Sequence, residues 1–430
     1  MKKRLTIIFC LTAFTAFAQI KLSPEEAINM ALKYNYDIQV SRTEADISKT
    51  NNTAGNAGML PVIQMSGSVN SGQNNVHQKL ASGTVNDFSS QSTTTLNAGA
   101  ELNWTLYDGG KMFVTKSKLS EIQSLGELQF MDKVLQTQFD VIAAYYDVVR
   151  QKQQLKQINE LINYNRERVK ITKTGFNAGY FVKTDLLQSQ IDLNVALESA
   201  INQQFNVKSA QKNLNLLLGQ DHSTVYEVSD TIPLNFIPDR AQLTEQLDIK
   251  NTTILLSQKQ IDIAKLSLKE IKTGYLPKLN VKAGYYFSKS SNSVGSTLEN
   301  QTYGPQIGGS VAVPLFSAGE NKRKVAATKL DLLSAQYQME NVKLQIKTEL
   351  DNALTDFENQ HELLKIEREN YTLARENLQI SLQRLSHGET TSLEVHLAQE
   401  SFTQSFTRLV NFEYNIKIAE SKLKQLIAAF

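Results

Sequence analysis

Residues 350–390 read LDNALTDFENQHELLKIERENYTLARENLQISLQRLSHGET. Apolar side chains recur every seven residues here, at Leu350, Phe357, Leu364, Tyr371, Leu378 and Leu385. No proline interrupts the stretch, and its first glycine is Gly388. Sustained seven-residue spacing predicts a long helix packed as in a coiled coil. A second apolar series, Ile366, Leu373 and Ile380, sits two residues after the first. Two residues turn an α-helix through about 200°, so this helix is apolar on nearly opposite sides. A helix packed on both flanks belongs to a wall or ring of helices. A dimeric coiled coil needs only one seam.

The pattern is written twice. Val134, Val141, Val148, Leu155, Ile162 and Val169 carry the same spacing. From Val141 onward they superpose on the second series at an offset of 209 residues. The return helices match at that offset too: Leu186, Leu193, Ala200, Val207 and Leu214 against Val395, Phe402, Leu409, Ile416 and Leu423. Between the long and return helices, Ala178-Gly179 followed by Asp185 recurs as His387-Gly388 followed by Glu394. Leu106-Tyr107-Asp108-Gly109-Gly110 recurs as Leu315-Phe316-Ser317-Ala318-Gly319.

The duplication sets the expected organisation. The first repeat covers 19–220, with a helix, strands at 62–70 and 94–104, a long helix at 111–174 and a return helix at 183–218. A turn-rich junction with Pro233 and Pro238 occupies 221–240. The second repeat covers 241–430, with a helix, strands at 279–287 and 306–316, a long helix at 320–386 and a return helix at 391–428. A helix of 64 residues is about 95 Å long, deeper than an ordinary domain core.

The strands alternate. Leu279, Val281, Ala283, Tyr285 and Phe287 are apolar between polar or small neighbours. Leu96, Ala98, Ala100, Leu102 and Trp104 behave alike. Each run has the length of a tilted strand that crosses a bilayer. Aromatic residues near their ends (Trp104, Tyr107, Tyr285, Phe287, Tyr303, Phe316) suit interfacial girdles. Polar loops are expected at 71–93 and 288–304. Four strands cannot close a barrel, and an open edge in lipid leaves backbone groups unpaired. Several chains must therefore pool their strands, and three would give twelve. Two would only just close.

Composition narrows the function. The chain has 430 residues, a formal net charge of +2, 41% apolar and 20% charged residues. That excludes a disordered chain and a nucleic-acid-binding charge excess. Mean hydropathy is −0.31, against a bundle of transmembrane helices. Lys2, Lys3 and Arg4, an apolar stretch at 5–17 and Ala16-Phe17-Ala18 read as an export signal, 1–18, cleaved after Ala18. Cys10, the single cysteine, lies inside it, so neither an intrachain disulfide nor a cysteine metal site is expected. The five histidines lack metal-ligand spacing on a helix, and no phosphate loop or nucleophile elbow is present. No enzyme activity and no cofactor are expected.

This order of strand pair, long helix, tip turn and return helix, twice over, resembles the TolC-like outer membrane efflux protein family. The resemblance runs from Leu22-Ser23-Pro24-Glu25-Glu26-Ala27 to the last helix. Its most specific pieces are that opening, Leu106-Tyr107-Asp108-Gly109-Gly110-Lys111 and the two tip segments. It implies a mainly α fold with a membrane β-barrel part. A homotrimer would form a 12-stranded barrel in the outer membrane, continued by an α-barrel through the periplasm. It also implies a periplasmic adaptor and an inner-membrane pump as partners. Drugs, toxic compounds or proteins would be the cargo.

The resemblance places the adaptor-docking tips at Gly179 and Gly388. It places the periplasmic entrance at Thr184, Asp185 and Glu394, the last matching the first aspartate of an acidic ring. The second aspartate position is Leu397 here. The Arg and Tyr that pair with the first-half gate residues in the family fall at Thr390 and Leu385, which cannot form that lock. The competing readings are a structural coiled-coil scaffold of the envelope and a nutrient-uptake barrel. Two opposed seams and alternating strands favour the duct.

Overall fold

Ser23 opens the first helix. Its hydroxyl accepts from the Glu26 amide at 3.1 Å, and the Glu26 carboxylate accepts from the Ser23 amide at 2.8 Å. This reciprocal cap, with Pro24 next, satisfies amides that a helix start leaves unpaired. The structure, a computed structural model, describes residues 20–430; the expected export signal lies outside them. The elements in order are β1 (Ile20–Lys21), α1 (Pro24–Tyr34), α2 (Tyr36–Asn51), β2 (Val62–Lys79) and β3 (Val85–Asp108). Then come α3 (Lys111–Asn177), α4 (Lys183–Leu217), β4 (Tyr226–Glu227), α5 (Arg240–Lys250) and α6 (Thr252–Lys272). β5 (Lys278–Asn292), β6 (Glu299–Ala312), α7 (Glu320–Ser386) and α8 (Ser392–Leu426) complete the chain.

The chain divides into two compact units, and each draws on both sequence repeats. The first takes residues up to Val40, Met131–Asn251 and Gln345–Phe430; the second takes Ser41–Phe130 and Thr252–Leu344.

In the first unit, Val141, Tyr145, Val148 and Val149 of α3 pack with Ala27, Ala31, Leu214, Leu218, Tyr226 and Val228. The junction after α4 is not free chain. β4 pairs in parallel with β1, and the buried Tyr145 hydroxyl donates to the Leu22 carbonyl (2.8 Å) while accepting from the Ser229 amide (2.9 Å). Phe236 then meets Phe357 of α7 edge to face at 5.9 Å. The expected apolar seam of α7 is buried at Leu350, Phe357, Leu364, Leu378 and Leu385. The opposite series is open in the single chain: Ile366 is 58% and Leu373 57% exposed.

The second unit holds a four-stranded antiparallel sheet in the order β2-β3-β5-β6. Register puts Ile63 opposite Leu102, Leu102 opposite Ala283, and Ala283 opposite Ile307, so one face is apolar. The other face sets Asn97 against Ser288 and Thr95 against Ser290. The strands run far beyond the expected 62–70, 94–104 and 279–287. Residues expected as loops, 71–93 and 288–304, are mostly paired strand, and only 80–84 and 293–298 turn. The reason is side-chain pairing between polar residues: Ser71 with Thr94 (3.1 Å) and Thr93 with Asn292 (2.8 Å). β6 stops at Ala312 rather than 316, ahead of Pro314, which has no amide to give a ladder. In the same unit, α3 carries Gly126 where a Cβ would meet the Ser48 hydroxyl of α2 at 3.0 Å. Glu270 of α6 bonds Lys118 and Thr115 of α3.

Candidate functional site

The two helix reversals of the first unit share one construction. α3 ends at Asn177, and Gly179 follows with φ of +79°. Tyr180 donates to the Gly175 carbonyl at 2.8 Å, and Gly179 donates to Phe176 at 3.1 Å. α7 ends at Ser386, and Gly388 has φ of +73°. Glu389 donates to Arg384 at 2.9 Å, and Gly388 donates to Leu385 at 3.1 Å. These paired bonds close a helix end when the next residue turns left-handed, which glycine does without a Cβ penalty. A Cβ on either glycine would meet nothing within 4 Å. Both tips therefore present open backbone. A cleft of 380 Å³ lies between them, lined among others by Ile171, Gly175, Phe181, Leu385 and His387.

The return helices start alike. Asp185 and Glu394 are each the third residue of their helix, where negative charge suits the helix dipole. The Asp185 carboxylate accepts from the Val182 amide at 3.4 Å. Glu394 accepts from the Thr390 hydroxyl, and its amide donates to the Thr391 hydroxyl at 3.3 Å. Each bonds within its own turn. Thr184 and Glu394 are exposed, Asp185 half-buried. Leu385, at the position of the missing Tyr partner, is fully buried in the apolar cluster with Leu378, Val395 and Phe402.

About three turns in from Gly179 lies a buried polar node that apolar periodicity did not reveal. The Arg168 side chain is fully enclosed. Its Nη1 donates to Asp192 Oδ2 of α4 (2.7 Å) and to Gln399 Oε1 of α8 (3.0 Å). Its Nη2 donates to the Ser392 hydroxyl (2.7 Å) and carbonyl (3.0 Å). Gln399 donates onward to Asn165 at 2.8 Å. His396 Nδ1 stands 3.2 Å from Asp192 Oδ2. The Thr172 and Ser189 hydroxyls bond at 2.8 Å. Burial pushes the Arg168 guanidinium below its ordinary pKa, while Asp192 acts against that. One arginine of α3 thus fastens the return helices of both repeats. The signal available in the sequence was the seven-residue step from Asn165 to Thr172 with Arg168 between, a heptad seam written in polar residues.

The sequence profile of the outer membrane efflux protein family matches residues 27–220 and 243–429. The chain is similar to the proteases secretion protein PrtF of Dickeya chrysanthemi, 21% identical over 95% of this chain and 88% of that one. It is similar to the outer membrane efflux protein BepC of Brucella suis biovar 1 (strain 1330), 21% identical over 96% of this chain and 86% of that one. In fold it resembles the outer membrane protein VceC of Vibrio cholerae, with a TM-score of 0.74 at 14% identity, covering 94% and 95% of the two chains. With two hairpins of long helices, a sheet apolar on one face, and relatives matched over nearly their full length, the chain belongs to the outer membrane efflux protein family and is an outer-membrane duct that reaches into the periplasm.

Proposed function

We propose that three copies pool their strands into one barrel and that a periplasmic adaptor docks on the tips at Gly179 and Gly388. An inner-membrane pump would then deliver its cargo into the duct. The observation that carries this reading is the pair of left-handed glycine turns, with open space where a Cβ would sit and a mainly apolar cleft beside them. A partner's helix tip can approach such backbone closely. The unpaired apolar series on α7 supports pooling, since a second copy would cover it. The relatives' names speak for both secretion and efflux, and either suits a duct without chemistry of its own. Thr184, Asp185 and Glu394 take the entrance, with Glu394 as a ring of negative charge when three copies meet.

The test is Gly388→Arg beside Gly388→Ala. Both impose the left-handed backbone on a Cβ, a strain of about 1–2 kcal/mol. Only arginine adds bulk. Arginine should leave the trimer assembled while abolishing export and adaptor cross-linking; alanine should leave export intact. Equal loss with alanine would mean the glycine serves the turn alone. Normal export with arginine at both tips would remove these turns from the docking site.

A further inference from the structure

The polar face of the sheet is uniform except at one place. Along 64–72, 93–105, 280–292 and 300–310 it presents Ser, Thr, Asn, Gln and Gly. The exceptions are Glu101, Lys282 and Tyr286, and they are neighbours. Glu101 and Lys282 are its charged residues over this span, and Tyr286 is its aromatic ring. The ladder surrounds that ring with glycine: Gly99 stands opposite Tyr286 on β3, Gly304 stands opposite it on β6, and Gly284 precedes it by two on β5.

The ring uses that space. A Cβ on Gly99 would lie 2.8 Å from Tyr286 Cδ1, and one on Gly284 would lie 2.9 Å from Cε2 and Cζ. Strand side chains ordinarily stand off the sheet. Tyr286 instead lies along it, over two residues without side chains. Its hydroxyl donates to Glu101 Oε2 at 3.0 Å, and Lys282 Nζ stands 3.8 Å from the other oxygen. The phenol is held at its base by the glycine niche and at its tip by a carboxylate.

We propose that Tyr286, seated on Gly99 and Gly284 and tied down by Glu101, sets the free width of the barrel lumen at mid-strand and, held against the wall, keeps it open to bulky solutes. This rests on the reading of the polar face as the lumen of a shared barrel, where inward side chains define the bore. Three rings lying on the wall leave the bore open; three rings released from it narrow the bore. The Glu101–Lys282 pair carries no net charge, so ring posture rather than charge governs passage at this level.

The turns at 80–84 and 293–298 are the ends of the sheet away from the helices. A reagent entering from outside the cell passes Tyr286 before it reaches residue 280. Asn280→Cys is therefore a reporter on the same face, in a chain whose one native cysteine is Cys10. It is labelled on intact cells with maleimides bearing polyethylene glycol chains of increasing mass. Glu101→Ala and Gly99→Val, each checked for trimer, should slow labelling by the larger reagents at least about threefold and leave the smallest unaffected. Tyr286→Ala should label as fast as the parent or faster, and the Glu101→Ala/Tyr286→Ala double variant should match Tyr286→Ala. Unchanged size dependence in Glu101→Ala overturns the proposal. So does a double variant as slow as Glu101→Ala, which would assign the effect to charge. If even the smallest reagent fails to reach residue 280 in the parent, the lumen reading falls and the proposal with it.

Discussion

Arg168→Met would leave Asp192 nearly buried beside an apolar chain. Removing one partner of a buried ion pair costs about 3–5 kcal/mol, because the other charge stays desolvated. The same reasoning predicts that replacing both partners by apolar residues is far milder. Limited proteolysis at the 178–182 turn, with the thermal midpoint, should rank Arg168→Met well below Arg168→Met/Asp192→Leu. Equal loss in both would mean that the node holds the tips by packing alone. Glu394 sits in a looser setting. If three copies face one axis, Glu394→Gln should lower cation selectivity and weaken block by multivalent cations added from the periplasmic side. An unchanged reversal potential would leave Glu394 as a first-turn residue bonded to Thr390. The two sites differ in legibility for a physical reason. Gly179, Gly388, Asp185 and Glu394 stand out because turns and helix starts demand particular residue types. Arg168 resembles any surface arginine until the fold closes over it.

At the scale of the element, the α7–α8 hairpin carries a pH dependence. Glu367 is buried, accepts from Arg408 at 3.0 and 3.1 Å and from Ser405 at 2.5 Å. Burial alone would raise its pKa; the bonds from Arg408 and Ser405 outweigh that and hold it below the ordinary 4.5. A depressed carboxyl contributes stability that is complete above the unfolded value and lost as pH falls through the folded value. Glu367→Gln should thus be less stable at neutral pH by about 1–3 kcal/mol, and the gap should shrink as pH drops below 4.5. Thermal midpoints of both proteins across that window decide it; a constant gap would assign the effect to packing. This hairpin's seam was also the clearest in the sequence, since Leu350, Phe357, Leu364, Leu378 and Leu385 are apolar and buried. The strands were less legible. Alternation marks only the part with an apolar face; the extension toward 292 is polar on both faces, and the one toward 79 has a single apolar pair, Val76 opposite Phe88.

For the whole molecule, the proposed trimer would let the two seams of α7 separate folding from assembly. Leu378 is 1% exposed in the single chain and Leu373 57%. Leu378→Ala should cost about 2–5 kcal/mol through the cavity it leaves. Leu373→Glu should leave helix content intact and stop trimer formation, read by native mass spectrometry in detergent. A trimer that tolerates glutamate there would place the contact between copies elsewhere. The scaffold and uptake alternatives fall away with family membership; the twofold sequence pattern already favoured the duct.

α3 and α7 have 67 residues each, and α4 and α8 have 35 each. Arg168 bonds both return helices, at Asp192 of one and at Ser392 and Gln399 of the other, so the two hairpins are held in one fixed register. An insertion of one heptad into a single arm would shift that arm's register against three unaltered partners and pull the arginine away from its acceptors. The length of such a duct is therefore inherited as a matched set. It can drift only by changes made in all four arms, which explains how two repeats whose residues have diverged so widely still agree in length to the residue.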